Sequence, residues 1–548
     1  MRRSNFLVSI PTILLIVVAL LGFSNDNQYF EITRNLDIFT TLYKEVNAYY
    51  VDEVDPQIFI RRGINAMLSS LDPYTSFISE EEIESYRTMT TGQYGGVGVV
   101  VSSLDDKAYV VMVYENFSAH NAGILIGDEI IKIDGKPVTS KKPIEVTESL
   151  KGVPETVVNI VIRREGEPEL LTFKLKREKI SINNVSYIGV IHDKFGYVLL
   201  SNFTYGAAKE VSNAITHLKS NGVEGIILDI RGNPGGLLSE AVNVSNVFIP
   251  KGKEIVSTKG KVEEWNKSYA ALNMPVDVNI PLVVLINKAS ASASEIVAGV
   301  MQDYDRGVLV GRKTFGKGLV QTTRPLAYNT QLKITAAKYY TPSGRCIQRV
   351  DYSKTDNNEN KNPPDTLKSK FRTLNGRLVY DGGGLTPDIE VKGKKMSAIT
   401  KSLVNNGYIF RYANVYHSNH STIDPSRQFQ ISVEEYDEFK EWCNNQNLKY
   451  STLEENNLNA LSNAAKKEMI YDKINAELDA LIEGVERSKL NDLDKFSDEI
   501  KLVLQKEIAS RYYLFKGNID ATIYQDNDIG KAVELLSNEK LYNKILEK

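Results

Sequence analysis

The chain opens on an uncharged, apolar run. Arg2 and Arg3 come first, no acidic residue appears before Asp26, and the stretch between includes Leu14, Leu15, Ile16, Val17, Val18, Leu20 and Leu21. As a helix, Phe6 to Phe23 would reach about 27 Å, close to a hydrocarbon core of about 30 Å. Residues 1–27 are therefore expected to act as a signal anchor or signal peptide, arginines inside and the rest of the chain outside. Leu36, Phe39, Tyr43, Val46 and Tyr50 then recur at spacings of three and four, the period of a half-buried helix. A second such stripe, Ile60, Ile64, Met67, Leu68 and Leu71, stops before Pro73. Together they predict an N-terminal helical region over 28–91.

Over 92–180 the pattern changes to short β-branched runs (97–101, 109–113, 157–163 and 170–175) split by Gly, Asp and Asn, which predicts a small β-rich domain. Over 181–396, buried-strand runs such as 225–230, 282–286 and 308–310 alternate with helix-like segments, the pattern of an α/β domain. Within it, residues 354–365 are a polar Asn, Lys and Pro stretch that cannot bury apolar area and reads as a flexible insertion. From 397 to 548, stripes at Ile470, Ile474, Leu478, Leu481 and Val485 and at Ile500, Leu504, Ile508, Tyr512 and Phe515 predict a C-terminal helical domain.

Composition narrows the function classes. At 548 residues the chain is long enough for three or four domains. Its 66 Lys plus Arg against 69 Asp plus Glu give a net charge of -3, which lacks the basic footprint of a nucleic-acid binder. The two cysteines, Cys346 and Cys443, cannot make a disulfide framework or a four-thiolate zinc site, and neither a metal nor a cofactor is expected. None of the five histidines falls between residues 218 and 416. Any proton acceptor working in that stretch is not an imidazole.

Three motifs in this stretch carry candidate chemistry. In Ser290-Ala-Ser292-Ala-Ser294-Glu295, a buried strand runs through small residues into an apolar helix, where backbone N–H groups and the positive helix end would stabilise an oxyanion. The same residues also fit an S-x-x-E capping box at Ser292 and Glu295, in which the hydroxyl only satisfies helix amides. In Thr314-Phe-Gly-Lys317-Gly-Leu-Val-Gln321, a lysine lies between two glycines beside apolar neighbours. A lysine amine is a base only when neutral, and moving it from about 10.4 towards 7 costs roughly 4 kcal/mol of solvation, which a dry pocket can supply. Gln321 falls on the same face and could orient it; a surface turn lysine is the alternative. In Asp229-Ile-Arg231-Gly-Asn233-Pro-Gly235-Gly236, the glycine amides could supply a second oxyanion donor, or the segment is a plain turn.

Taken together and in this order, the three motifs resemble the carboxyl-terminal processing, or tail-specific, proteases. The resemblance runs from about Leu36 to Val391 and includes Leu71-Asp-Pro-Tyr74, Tyr94-Gly-Gly-Val-Gly98, Thr341-Pro-Ser-Gly344 and Leu385-Thr-Pro-Asp-Ile389. It implies a crotonase-like α/β protease core with an inserted β-rich PDZ domain over 92–180, an N-terminal helical segment and a C-terminal helical domain. It further implies Ser292 as nucleophile, Lys317 as general base and Gln321 as its orienting partner. Ala293 with Gly235 or Gly236 would form the oxyanion hole, and Asp303 would be a supporting carboxylate. Gly95, Gly96, Val97 and Gly98 would take up a peptide's terminal carboxylate. The implied partners are protein or peptide substrates with free C-termini, and the membrane through the N-terminal segment; self-association into a homo-oligomer stays open. The implied location is outside the cytoplasm, on the periplasmic side of the inner membrane. A non-catalytic PDZ scaffold is the competing class. The S-x-x-K spacing of another serine-enzyme class occurs at Ser537 to Lys540, in a charged tail segment.

Overall fold

The computed structural model describes residues 10–138, 143–352, 369–446 and 448–547. The expected insertion at 354–365 lies outside the described residues, as do residues 1–9 of the expected anchor and the side chains of its remainder. Among the described residues no helix is long and apolar enough to cross a membrane. The chain divides into two compact units, one ending at Phe77 and one beginning at Ile78.

In the first unit, α1 (Ile10–Tyr49) and α2 (Pro56–Ser69) are joined by a short turn. Asp55 caps α2, accepting from the amides of Gln57 and Ile58 at 2.9 and 3.0 Å, while Pro56 takes a first-turn position where its missing N–H costs nothing. Tyr43 stacks on Phe59 and donates to the Pro56 carbonyl. Leu36 and Phe39 stay exposed, although their spacing predicts a half-buried helix; among the described residues, Gly63 of α2 approaches Phe39 and covers it only in part.

The second unit begins with α3 (Ile83–Thr91), ended by Gly92 in the left-handed conformation. The chain then enters a β-rich module through β1 (Gln93–Gly96) and leaves it through β7 (Glu178–Ser181), which pair with each other antiparallel. Between them, β2 (Val99–Leu104), β3 (Lys107–Val113), β4 (Glu129–Ile133), β5 (Val157–Arg163) and β6 (Leu171–Lys176) form an antiparallel sheet in that order. Helix α4 (Pro143–Leu150) packs Val146 and Leu150 onto it. A module whose entry and exit strands form one ribbon sits in the host as an insertion.

The central sheet has the order β8 (Val185–Ile191), β9 (Phe195–Leu200), β10 (Gly225–Asp229), β13 (Leu282–Ile286), β14 (Val308–Gly311) and β17 (Ile389–Glu390). Only the β8–β9 pair is antiparallel. Ile226, Leu228, Val284 and Ile286 point to one face, against α5 (Ala207–Ser220), α6 (Leu238–Asn246) and α7 (Ala293–Asp303). Ile227, Val283, Leu285, Val308 and Val310 point to the other. Burial on both faces is why these strands read as unbroken apolar runs. A second, antiparallel sheet contains β11 (Glu254–Gly260), β12 (Lys267–Ala270) and the hairpin β15 (Leu319–Pro325) and β16 (Gln331–Tyr340).

The C-terminal helices build a core of their own around Leu403, Tyr412, Phe439, Ile500 and Leu504. From it, α8 (Tyr408–Asn419) touches the β-rich module, with Phe410 edge-on to Tyr109 at 5.6 Å. The stripe expected as one helix forms α9 (Ser497–Asp520), which kinks at Leu514 (φ 52, ψ -143). Beyond it, α10 (Asn527–Leu536) and α11 (Glu539–Ile545) cover the second face of the central sheet with Ile529, Ala532, Leu535, Tyr542 and Leu546. The Tyr542 hydroxyl accepts from the Leu282 amide at 2.9 Å and donates to its carbonyl at 3.0 Å.

Candidate active site

Three turns at the carboxyl ends of β10, β13 and β14 converge on one cavity. The turn after β13 carries three serines, and their hydrogen bonds separate them. Ser290 donates to the Ile230 carbonyl at 2.9 Å and accepts from the Asn287 amide at 3.0 Å, and Ser294 donates to the Asn233 carbonyl at 2.9 Å. Both are wholly buried and pin this turn to the one after β10. Ser292, between them, lines the cavity.

Its backbone sets Ser292 apart from a helix cap. Ser432 and Thr452 cap their helices from extended backbone and accept from the amides of Glu435 and Glu455. Ser292 sits at φ 56, ψ -114, a conformation that costs a non-glycine residue about 1–3 kcal/mol. The capping box is present here too, closed by Glu295 accepting from the Ser292 amide at 2.9 Å, but the hydroxyl falls outside hydrogen-bond geometry to the helix amides. Tyr339 donates to the Ser292 carbonyl at 3.2 Å and helps hold the strained residue.

Two amides beside Ser292 point to anion binding. Ala293 N–H, at the start of α7, has no partner among the described residues. Gly235 packs so closely that a Cβ would lie 2.6 Å from the Ala291 carbonyl oxygen. Its amide is taken by Asn233 Oδ1 at 2.9 Å, an Asx turn, whereas Gly236 N–H is unpartnered among the described residues. Of the two glycines left open by the sequence, Gly236 has the available donor.

Lys317 lies in the loop between β14 and β15, tied to the serine turn by a buried carboxylate. Glu295 accepts from the Thr314 hydroxyl at 2.5 Å and from the amides of Gly316 at 2.8 Å, Lys317 at 2.9 Å and Ser292 at 2.9 Å. Burial pushes this carboxyl above its usual range, against the opposing pull of these four bonds. Sequence reading gave Glu295 only a capping role, because the capping pattern names its partners in α7 and not those across the fold. Replacing it by Gln turns one acceptor oxygen into a donor facing N–H groups, a buried mismatch worth about 1–3 kcal/mol. Glu295→Gln is expected to lower the thermal midpoint by several degrees and to cut peptidase activity about a hundredfold. A variant with unchanged midpoint and activity would show that the carboxylate does not hold the two turns together.

Gln321 follows a register shift in the β15–β16 hairpin, where the extra residue is on β16, and donates to Thr335 Oγ1 at 3.4 Å. Ser292, Ala293, Gly235, Gly236, Lys317 and Gln321 thus line a single cavity of about 310 Å³, walled by Ile296, Leu319, Val320 and Tyr339. Lys333 of β16 lines it as well, which no sequence pattern indicated. Asp303 does not line it: at the far end of α7 it pairs with Arg345 at 2.6 Å and accepts from the Ser343 amide at 2.9 Å, bracing the loop after β16. Gly95, Gly96, Val97 and Gly98 lie in the β-rich module, where the Val97 and Gly98 amides have no partner among the described residues. Away from the cavity opening, Asp528 of α10 accepts from Arg231 at 2.8 Å and from Arg312 at 2.9 Å, linking the turns after β10 and β14.

Comparison with known proteins agrees with this architecture. Residues 194–354 match the model of peptidase family S41, residues 95–175 that of the PDZ domain, and residues 399–536 that of the "Probable PDZ-protease, C-terminal helical domain". The chain is 38% identical over 331 residues to a carboxy-terminal-processing protease of Bartonella bacilliformis, covering 60% of this chain and 75% of that one. It is 35% identical over 316 residues to a "Probable CtpA-like serine protease" of Staphylococcus aureus, covering 57% of this chain and 62% of that one. Among solved structures, a photosystem II D1 C-terminal processing protease is 27% identical with a TM-score of 0.35, covering 65% of this chain and 92% of that one. With the protease, PDZ and helical segments in register with these models, and a relative matched across three quarters of its length, the chain belongs to peptidase family S41, the carboxy-terminal-processing serine proteases.

Proposed function

We propose that the chain is an endopeptidase that takes up C-terminal tails of exported proteins in its PDZ domain and cleaves peptide bonds with a Ser292/Lys317 dyad. The observation that carries this is the strained Ser292 at the entrance of α7, in one cavity with Lys317 and beside the unpartnered amides of Ala293 and Gly236. Ser292 Oγ attacks the scissile carbonyl while the neutral Lys317 amine takes its proton. The oxyanion is held by Ala293 N–H and Gly236 N–H, and collapse releases the leaving amine, which receives the proton from Lys317. Water, deprotonated by the same amine, then hydrolyses the acyl-enzyme. Gln321 orients Lys317, and Glu295 fixes the backbone of both partners. In this reading Asp303 supports the fold and touches no substrate.

The Val97 and Gly98 amides support carboxylate capture, with the peptide extending β2 as an added strand. A serine-reactive phosphonate is expected to label the chain stoichiometrically and to fail with Ser292→Ala; absence of labelling in the native chain would favour the non-catalytic scaffold. A substrate with a free C-terminal carboxylate is expected to be cleaved at least tenfold faster, by kcat/KM, than its amidated twin. Equal rates would remove tail recognition from the proposal. The apolar N-terminal segment extends the proposal to export with membrane attachment, tested by fractionation and by protease accessibility in spheroplasts.

A further inference from the structure

Among the described residues, the cavity is lined by two lysines and no carboxylate. Among the same residues, its one cation beyond Lys317 is Lys333, and no acidic side chain lines it. Lys333 lies on β16 opposite Thr323 of β15, two residues along the hairpin from the Thr335–Gln321 pair. Across the register shift that separates them, it lines the same cavity as Tyr339, which reaches the Ser292 carbonyl. Lys333 makes no ion pair or hydrogen bond among the described residues. Burial holds its amine below the ordinary lysine value. A half-buried ammonium without a counter-ion is a costly feature for the free protein to maintain, and it becomes favourable once an anion enters the site.

We infer that Lys333 forms an acid-reading subsite, pairing with an Asp or Glu side chain of the substrate within about three residues of the scissile bond. The position follows from geometry: one repeat of the hairpin, about 7 Å, separates Lys333 from the Gln321 level, and an extended peptide advances about 3.3 Å per residue. The inference rests on the Ser292/Lys317 reading of the cavity and adds to it a side-chain preference.

The test uses the full chain and a set of peptides with one common free-carboxylate tail, carrying Glu or Gln in turn at each of the three positions on either side of the cleaved bond. At one position, kcat/KM is expected to favour Glu over Gln about tenfold, mainly through KM. In Lys333→Met this ratio should fall to near one, in Lys333→Arg it should persist, and in Lys333→Glu it should invert in favour of a Lys-containing peptide. Thermal midpoints report folding of each variant independently. The inference is overturned if no position shows the preference in the native chain, or if the preference survives in Lys333→Met. Failure of the native chain to cut any peptide would instead remove the protease reading, and this inference with it.

Discussion

Ser292→Ala is expected to lower peptide hydrolysis by about 10⁴- to 10⁶-fold, to the level left by substrate binding and the oxyanion donors alone. Binding of a free-carboxylate peptide should survive, because Val97 and Gly98 lie in the separate module formed between β1 and β7. Lys317→Ala should cost nearly as much, and the double variant hardly more than either single one, since the two groups act as a unit. Lys317→Arg should not rescue activity: a guanidinium stays protonated and cannot accept the hydroxyl proton. Steady-state hydrolysis of a denatured protein or a tail peptide measures all four. Retention of more than about one per cent of native activity in Ser292→Ala, with contaminating peptidases excluded, would end the assignment of Ser292 as nucleophile.

Deletion from residue 519 onward is expected to abolish cooperative folding. It would expose the face of the central sheet formed by Tyr197, Ile227, Val283, Leu285, Val308 and Val310. At about 1.5–3 kcal/mol for each large side chain returned to water, the loss is roughly 9–18 kcal/mol, as large as the whole stability of a typical domain at about 5–15 kcal/mol. The deletion also removes Asp528 and leaves Arg231 and Arg312 without that shared acceptor. Insoluble expression or the loss of a calorimetric transition is the expected outcome. A soluble truncated chain with a native-like transition would show that α10 and α11 are accessory. A milder version is Tyr542→Phe, which strips two bonds from Leu282 and should lower the midpoint by a few degrees.

The sequence revealed the segments through periodicity and the chemistry through motifs, but what it left undecided depended on contacts between distant parts of the chain. The resemblance points to Ser292 among the three serines, but the reason Ser290 and Ser294 are tied up, hydrogen bonds to Ile230 and Asn233 some sixty residues away, is not contained in local spacing. Glu295 carried a capping signature that masked a second set of partners in the Lys317 loop. That the Gly235 amide is taken is legible in Asn233-Pro-Gly235, because an Asn two residues before a glycine commonly accepts from its amide. Lys333 gave no signal: in an alternating strand it looks like any solvent-facing lysine. The C-terminal segment reads as a helical domain, but the stripes that show it lie before residue 516, and nothing in a 3.6-residue period says that α10 and α11 cover a sheet completed by residue 390.

That last arrangement bears on how the protein is made. The strands of the central sheet leave the ribosome long before α10 and α11, and at about 5–20 residues per second the nascent sheet waits on the order of ten to fifty seconds for its second cover. During that interval its apolar face has no intramolecular partner, which makes it a binding site for chaperones. The waiting chain also lacks the Asp528 link between two of the turns that form the cavity, so a half-synthesised copy should be unable to cut its neighbours.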